Sequence, residues 1–138
     1  MIIFYNPANN IITGIQSFPE TTELPHIVVN NVPDCLPDAI NLVSLVHDGE
    51  SLQLPDVETI EQAIVEHNIA VLVESTRSER DRRINAEMWR YDRAAREARL
   101  GITPTDDIDT LDAYIQALAD VPQQAGFPDN IEWPTLTL

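Results

Sequence analysis

Four aspartates within seven residues, Asp106, Asp107, Asp109 and Asp112, are the first place where this sequence could do chemistry. Clustered carboxylates suit a hard cation such as calcium. The cluster lacks the alternating ligands, central glycine and closing glutamate of a calcium loop. It also sits where a helix N-terminus favours negative charge, so capping explains it without a metal. His26, His47 and His67 are scattered, with no cysteine or acid at ligand spacing for zinc. Cys35 lies between Pro33 and Pro37 with no adjacent base to make it a thiolate. The four glycines form no phosphate-cradling pattern. Nothing assembles a nucleophile, a base and an oxyanion donor. The expectation is a protein that is not an enzyme and uses no metal or cofactor.

Charge is distributed with more meaning than its total of −15. There is no lysine, and all eight arginines lie between Arg77 and Arg99. Five acids share that window, leaving it at +3, whereas the other 18 acids face no lysine or arginine. An arginine run could contact phosphates, but here acids interleave at helical spacing. Glu79 with Arg83, Asp92 with Arg96 and Arg93 with Glu97 are i,i+4 pairs, and the field of the whole chain repels a polyanion. Nucleic acid is not an expected partner. A solvated, salt-laced helix is the plainer reading, and a basic band docking on an acidic surface is the other.

The elements that position these residues divide into two parts, a small β-rich domain over 1–55 and a helical domain over 56–138. Ile2–Tyr5 and Ile11–Phe18 read as strands joined through the turn formers 6–10. His26–Asn30 reads as a short strand, and Asn41–His47 with Ser51–Leu54 flank Asp48-Gly49, a strong hairpin signal. The prolines favour edge positions. Asp56 suits an N-cap, and Val57, Ile60, Ile64, His67 and Val71 then recur at helical spacing. The apolar run Ile69–Val73 could be strand or helix; the absence of glycine and proline from Asp56 to Leu100 favours one long helix, bent near Met88-Trp89. Gly101 and Pro104 should stop it. A second helix, about Asp107–Ala119, is expected to pack antiparallel, burying Leu111, Tyr114, Ile115 and Leu118 against Ile84, Met88, Ala95 and Leu100. The fold class is therefore α+β: a small N-terminal antiparallel sheet, a long helix, a second helix and an extended tail.

One cysteine permits no internal disulfide, the N-terminus has no basic segment before Asn6-Pro7, and no apolar run approaches a membrane span. The expected setting is cytosolic, with no membrane partner.

The tail holds the most specific signal. Tyr114-Ile115-Gln116-Ala117-Leu118 runs into Asp120-Val121-Pro122, then Gly126-Phe127-Pro128 and Ile131-Glu132-Trp133-Pro134. An arginine-rich stretch, Arg80 to Trp89, precedes it. Together, over residues 77–135, these motifs resemble the tail assembly chaperones encoded beside tail-fibre genes in tailed bacteriophages. The chain departs from that pattern at Arg83, Glu87, Met88 and Ala119, where leucine, threonine, aspartate and arginine are usual, and in an added helical stretch over 90–101. The resemblance implies a chaperone that binds the tail-fibre protein and assists its folding or trimerisation in the host cytoplasm. The alternative is a permanent virion component of the tail or fibre. A homo-oligomer matching a trimeric fibre is left open. Residues from about 77 onward should engage the fibre, with the sheet modulating which surface is met. Trp89, Tyr91, Phe127, Ile131 and Trp133 are the candidate partner-binding residues, since aromatic side chains supply much interface energy; core filling is the competing role. Trp133 is expected to insert into an apolar site, supported by Phe127 and Ile131, because the tail offers no hydrogen-bonded structure of its own.

Overall fold

A computed structural model describes residues 1–17 and 24–137. The chain forms two compact units, Met1–Asn68 and Ile69–Leu138. The change from strand to helix falls earlier, at Pro55-Asp56.

In the first unit β1 (Ile2–Tyr5) is the centre of a three-stranded antiparallel sheet, between β2 (Ile12–Gln16) and β3 (His26–Val28). Apolar side chains of β1 and β2 supply Ile3 and Ile12 to a core completed by Leu36, Ala39, Val43, Leu45 and Ile60. The turn 6–10 forms as its composition suggests. The Asn6 and Asn9 side chains accept from the backbone N–H two residues on, and Asn10 takes the left-handed conformation that asparagine tolerates (φ 58°). The Asp48-Gly49 hairpin is also present, with Asp48 accepting from the Glu50 and Ser51 N–H groups.

That hairpin is shorter than expected, and it stands apart as a two-stranded ribbon, β4 (Val46–His47) with β5 (Leu52–Gln53). Residues 41–45 are not a regular strand. A 3₁₀ turn at Leu36–Ala39 and a left-handed Asn41 (φ 68°) lead the chain along β2 through a single bridge, Ile11 with Ser44. The expected strand end at Phe18 lies outside the described residues.

Helix α1 (Val57–Arg99) is continuous over 43 residues. Its N-cap is Asp56, whose carboxylate accepts from Thr59 N–H at 2.7 Å. Residues 69–73 are helix, which closes the alternative left open by their composition. At the other end Gly101 (φ 71°) donates to Ala98 O, and Ile102 donates to Glu97 O. These are the two hydrogen bonds of a Schellman cap, which favours glycine at its left-handed position.

Helix α2 (Ile108–Ala119) follows, capped by Asp107, which accepts from Asp109 N–H and Thr110 Oγ1. Leu111 and Leu118 are fully buried, and Tyr114 and Ile115 half-buried, as the amphipathic pattern requires. Of the partners expected on α1, Ile84 is half-buried, and the other three differ. Ala94, not Ala95, is buried, while Met88 is 45% and Leu100 67% exposed. Leu100 belongs to the cap rather than to the helix face. The stop at Gly101 returns the chain onto the Glu87–Arg90–Ala94 side of α1, away from Met88. A 3₁₀ turn, Val121–Gln123, leads into the tail. Among the described residues no helix is long and apolar enough to cross a membrane.

Candidate partner-binding site

Trp89 lies in the arginine-rich half of α1 and is 50% exposed. The guanidinium carbons of Arg90 and Arg93 stand 4.9 and 4.8 Å from the centre of its ring. Both arginines are fixed from behind. Arg90 Nη1 donates to Asp106 at 2.8 Å and its Nε to Glu87 at 2.5 Å, while Arg93 Nη2 donates to the other Asp106 oxygen. Burial pushes the Asp106 carboxyl up, but the hydrogen bond and charge of Arg93, reinforced by Arg90, hold it below the usual carboxylate range. Asp106 therefore holds two cations against one indole. Its neighbours are equally accounted for: Asp107 caps α2, and Asp112 accepts from Tyr91 Oη at 2.6 Å. Among the described residues no group of three or more potential ligands could hold a metal.

Tyr91 is half-buried and its hydroxyl joins α1 to α2. That hydrogen bond, with burial and the Asp112 charge, pushes the phenol up to about 12. Of the expected i,i+4 pairs, Glu79–Arg83 forms at 2.7 Å. Arg93 turns instead to Asp106, and Glu97 takes the backbone and hydroxyl of Thr105. Arg82 adds a second partner to Glu79, holding both of its oxygens at 2.7 Å.

The tail carries the other three candidates, Phe127, Ile131 and Trp133, all half-buried. The Trp133 ring is met by the Arg83 guanidinium at 4.4 Å. To the apolar site expected for Trp133 the structure adds a cation, which covers one face of the ring. The expectation that the tail has no hydrogen-bonded structure is corrected. The Gln124 side-chain amide accepts from Glu132 N–H at 2.9 Å and donates to Glu132 O at 2.8 Å, acting as a strand partner would. Asn130 N–H donates to Gly126 O at 2.7 Å, closing the turn between them. The Phe127–Pro128 peptide within it is cis.

The five candidates do not form one patch. Arg83, under Trp133, and Trp89 are six residues apart, about 240° around the helix, so the two tryptophans occupy different faces. Sequence reasoning missed the exposed apolar residues beside them. Met88 adjoins Trp89, and Ile69 (47% exposed) and Leu72 (36% exposed) continue the face of α1 that carries Thr76 and Arg83. The signal was available: five consecutive apolar residues at 69–73 are more than one face of a helix can bury.

Among protein families, residues 73–136 match the model described as phage tail assembly chaperone protein, the family that the motifs over 77–135 resemble. No curated protein and no solved structure matches the chain.

Proposed function

We propose, starting from the match of residues 73–136 to the phage tail assembly chaperone family, that the chain binds the tail-fibre protein during assembly in the host cytoplasm. It assists folding or trimerisation there without catalysing a reaction. Fibres are β-rich, and slow non-local pairing leaves their edges exposed and aggregation-prone. A chaperone for such a client needs an apolar contact surface on a body that stays soluble. Met88 and Trp89 are accessible apolar residues of α1 suited to that contact, and the net charge of −15 suits the second need. Tyr91 and Trp133 are engaged within the chain, so they shape the surface rather than supply it.

The family match carries this reading. The test is co-expression of the full chain with the tail-fibre protein of the same phage. Met88→Ser should cut the yield of soluble fibre several-fold while the chaperone itself melts within about 2 °C of wild type, as expected for an exposed substitution; Trp89→Ala should cut it too, with a lower melting temperature because it also removes the Arg90 and Arg93 contacts. Unchanged fibre yield would remove the α1 surface from the proposal. Purified virions should lack the chain; a fixed ratio to the fibre would make it a structural subunit instead.

A further inference from the structure

Among the described residues, the sheet of the first unit is covered at the start of one edge and unpaired along the other. At the start of β2, residues 41–45 supply hydrogen bonds: Ile12 N–H donates to Val43 O, Asn41 N–H to Ile12 O and Leu45 N–H to Asn10 O. Beyond β3 no strand pairs, among the described residues. The parity of the ladder shows which groups are left there. Val29 N–H donates to Met1 O, and Pro25 O accepts from Tyr5 N–H. Residues 25, 27 and 29 therefore turn their backbone groups towards β1, and His26, Val28 and Asn30 turn theirs outward.

The hairpin presents a second edge of the same kind. Asp48 N–H donates to Ser51 O, and Val46 is the next partner of the same parity, opposite Gln53. Leu52 and Leu54 consequently direct their N–H and C=O away from β4. A single groove of about 690 Å³ is lined by residues 27–31 and Pro33 and by residues 51–57. Both open edges thus border one groove, whose volume lies within the ~300–1,000 Å³ usual for binding clefts. Val28 is 71% exposed at its rim.

We infer that this groove accepts an extended, basic peptide segment of another protein, added as a strand to the outer edge of β3. Main-chain pairing supplies affinity in such additions, and alternate side-chain positions supply selectivity. The charge of the occupant follows from the first unit, whose residues 1–68 contain ten acids and no lysine or arginine, with Asp56 in the groove itself. A second copy's first unit would bring ten more acids against them, its arginines all lie in a helix rather than an extended segment, and an acidic peptide would meet the same repulsion. This inference is independent of the tail-fibre reading, which concerns α1.

The probe is a fluorescein-labelled ten-residue peptide of alternating valine and arginine, titrated into the full chain by fluorescence anisotropy. Saturable binding is expected, with slowed amide exchange at His26, Val28 and Asn30. A peptide of the same sequence with every backbone amide N-methylated keeps the charge and loses the donors on both of its edges, and it should bind at least tenfold more weakly. Val28→Pro removes an outward N–H while sparing the bonds to β1, and it should cause a similar loss without moving residues 69–138 in an exchange map. Equal binding of both peptides would reduce the interaction to charge alone and overturn the proposal. So would no binding, or self-association that protects the same amides without peptide. If Val28→Pro fails to fold, the N-methyl comparison on the wild-type chain decides.

Discussion

Trp133 and Arg83 form a pair that lies partly in water, so its energy should be smaller than that of a core tryptophan. Trp→Ala at a buried site costs about 3–5 kcal/mol, and half-burial brings the expectation for Trp133→Ala to about 2 kcal/mol. Isolated protein should then melt several degrees lower. A double-mutant cycle with Arg83→Ala isolates the cation–π contact, and a coupling of about 0.5–1 kcal/mol is expected. Zero coupling would mean that the guanidinium merely lies nearby. Gly126 is the second decisive residue of the tail. A Cβ there would overlap the carbonyl of Asn130, which is backbone and cannot swing away. Gly126→Ala should cost about 1–3 kcal/mol, read as a lower melting temperature and a changed Trp133 emission. At this scale the sequence was legible in residue type and not in partner. Trp133 stood out as an anchor, yet its cation comes from a residue 50 positions earlier. The bridge from Asp106 to Arg90 and Arg93 likewise depends on where the loop 100–106 returns, which no local pattern specifies.

Helices were legible where their ends carry specific chemistry. Asp56, Asp107 and Gly101 each satisfy backbone groups that a helix end leaves unpaired, and such signals are local in sequence. The strands were legible where turn formers flank them, as at 6–10 and at Asp48-Gly49. Residues 41–45 misled because their apolar alternation, Leu42 aside, serves the core through Val43 and Leu45 without a ladder. The candidate site was legible in its aromatic residues and not in Ile69, Leu72 or Met88, whose exposure depends on where the rest of the chain goes. A test at the scale of the element follows from the α2 cap. Asp107 accepts from Asp109 N–H and Thr110 Oγ1, and α2 has only 12 residues over which to make up a lost end. Asp107→Ala should lower the melting temperature by a few degrees and speed amide exchange at 108–111 first, while Asp107→Ser should restore most of both. Loss of exchange protection across all of α2 at once would show instead that the helix holds or melts as a unit.

Over the whole molecule, charge divides the two units. Residues 1–68 carry ten acids without a lysine or arginine, whereas residues 69–138 carry thirteen acids and all eight arginines. Acidification should therefore relieve repulsion in the first and dismantle ion pairs in the second. Glu79 isolates the latter effect. Its hydrogen bonds from Arg82, then Arg83, hold its carboxyl at about 2, against about 4.3 in an unfolded chain. Between those values the unfolded state binds the proton and the folded state does not, so this contribution is complete above about pH 5 and is lost as pH falls through about 2. Glu97, Asp106 and Asp107 are lowered as well and act in the same direction. Melting monitored by exchange within 69–138 should be level from pH 7 to about 5 and decline from about pH 4 downward. Glu79→Gln should start lower at pH 7, and its gap from wild type should narrow through the same window and close near pH 2. A gap that stays constant with pH would show that Glu79 contributes through packing and not through its charge.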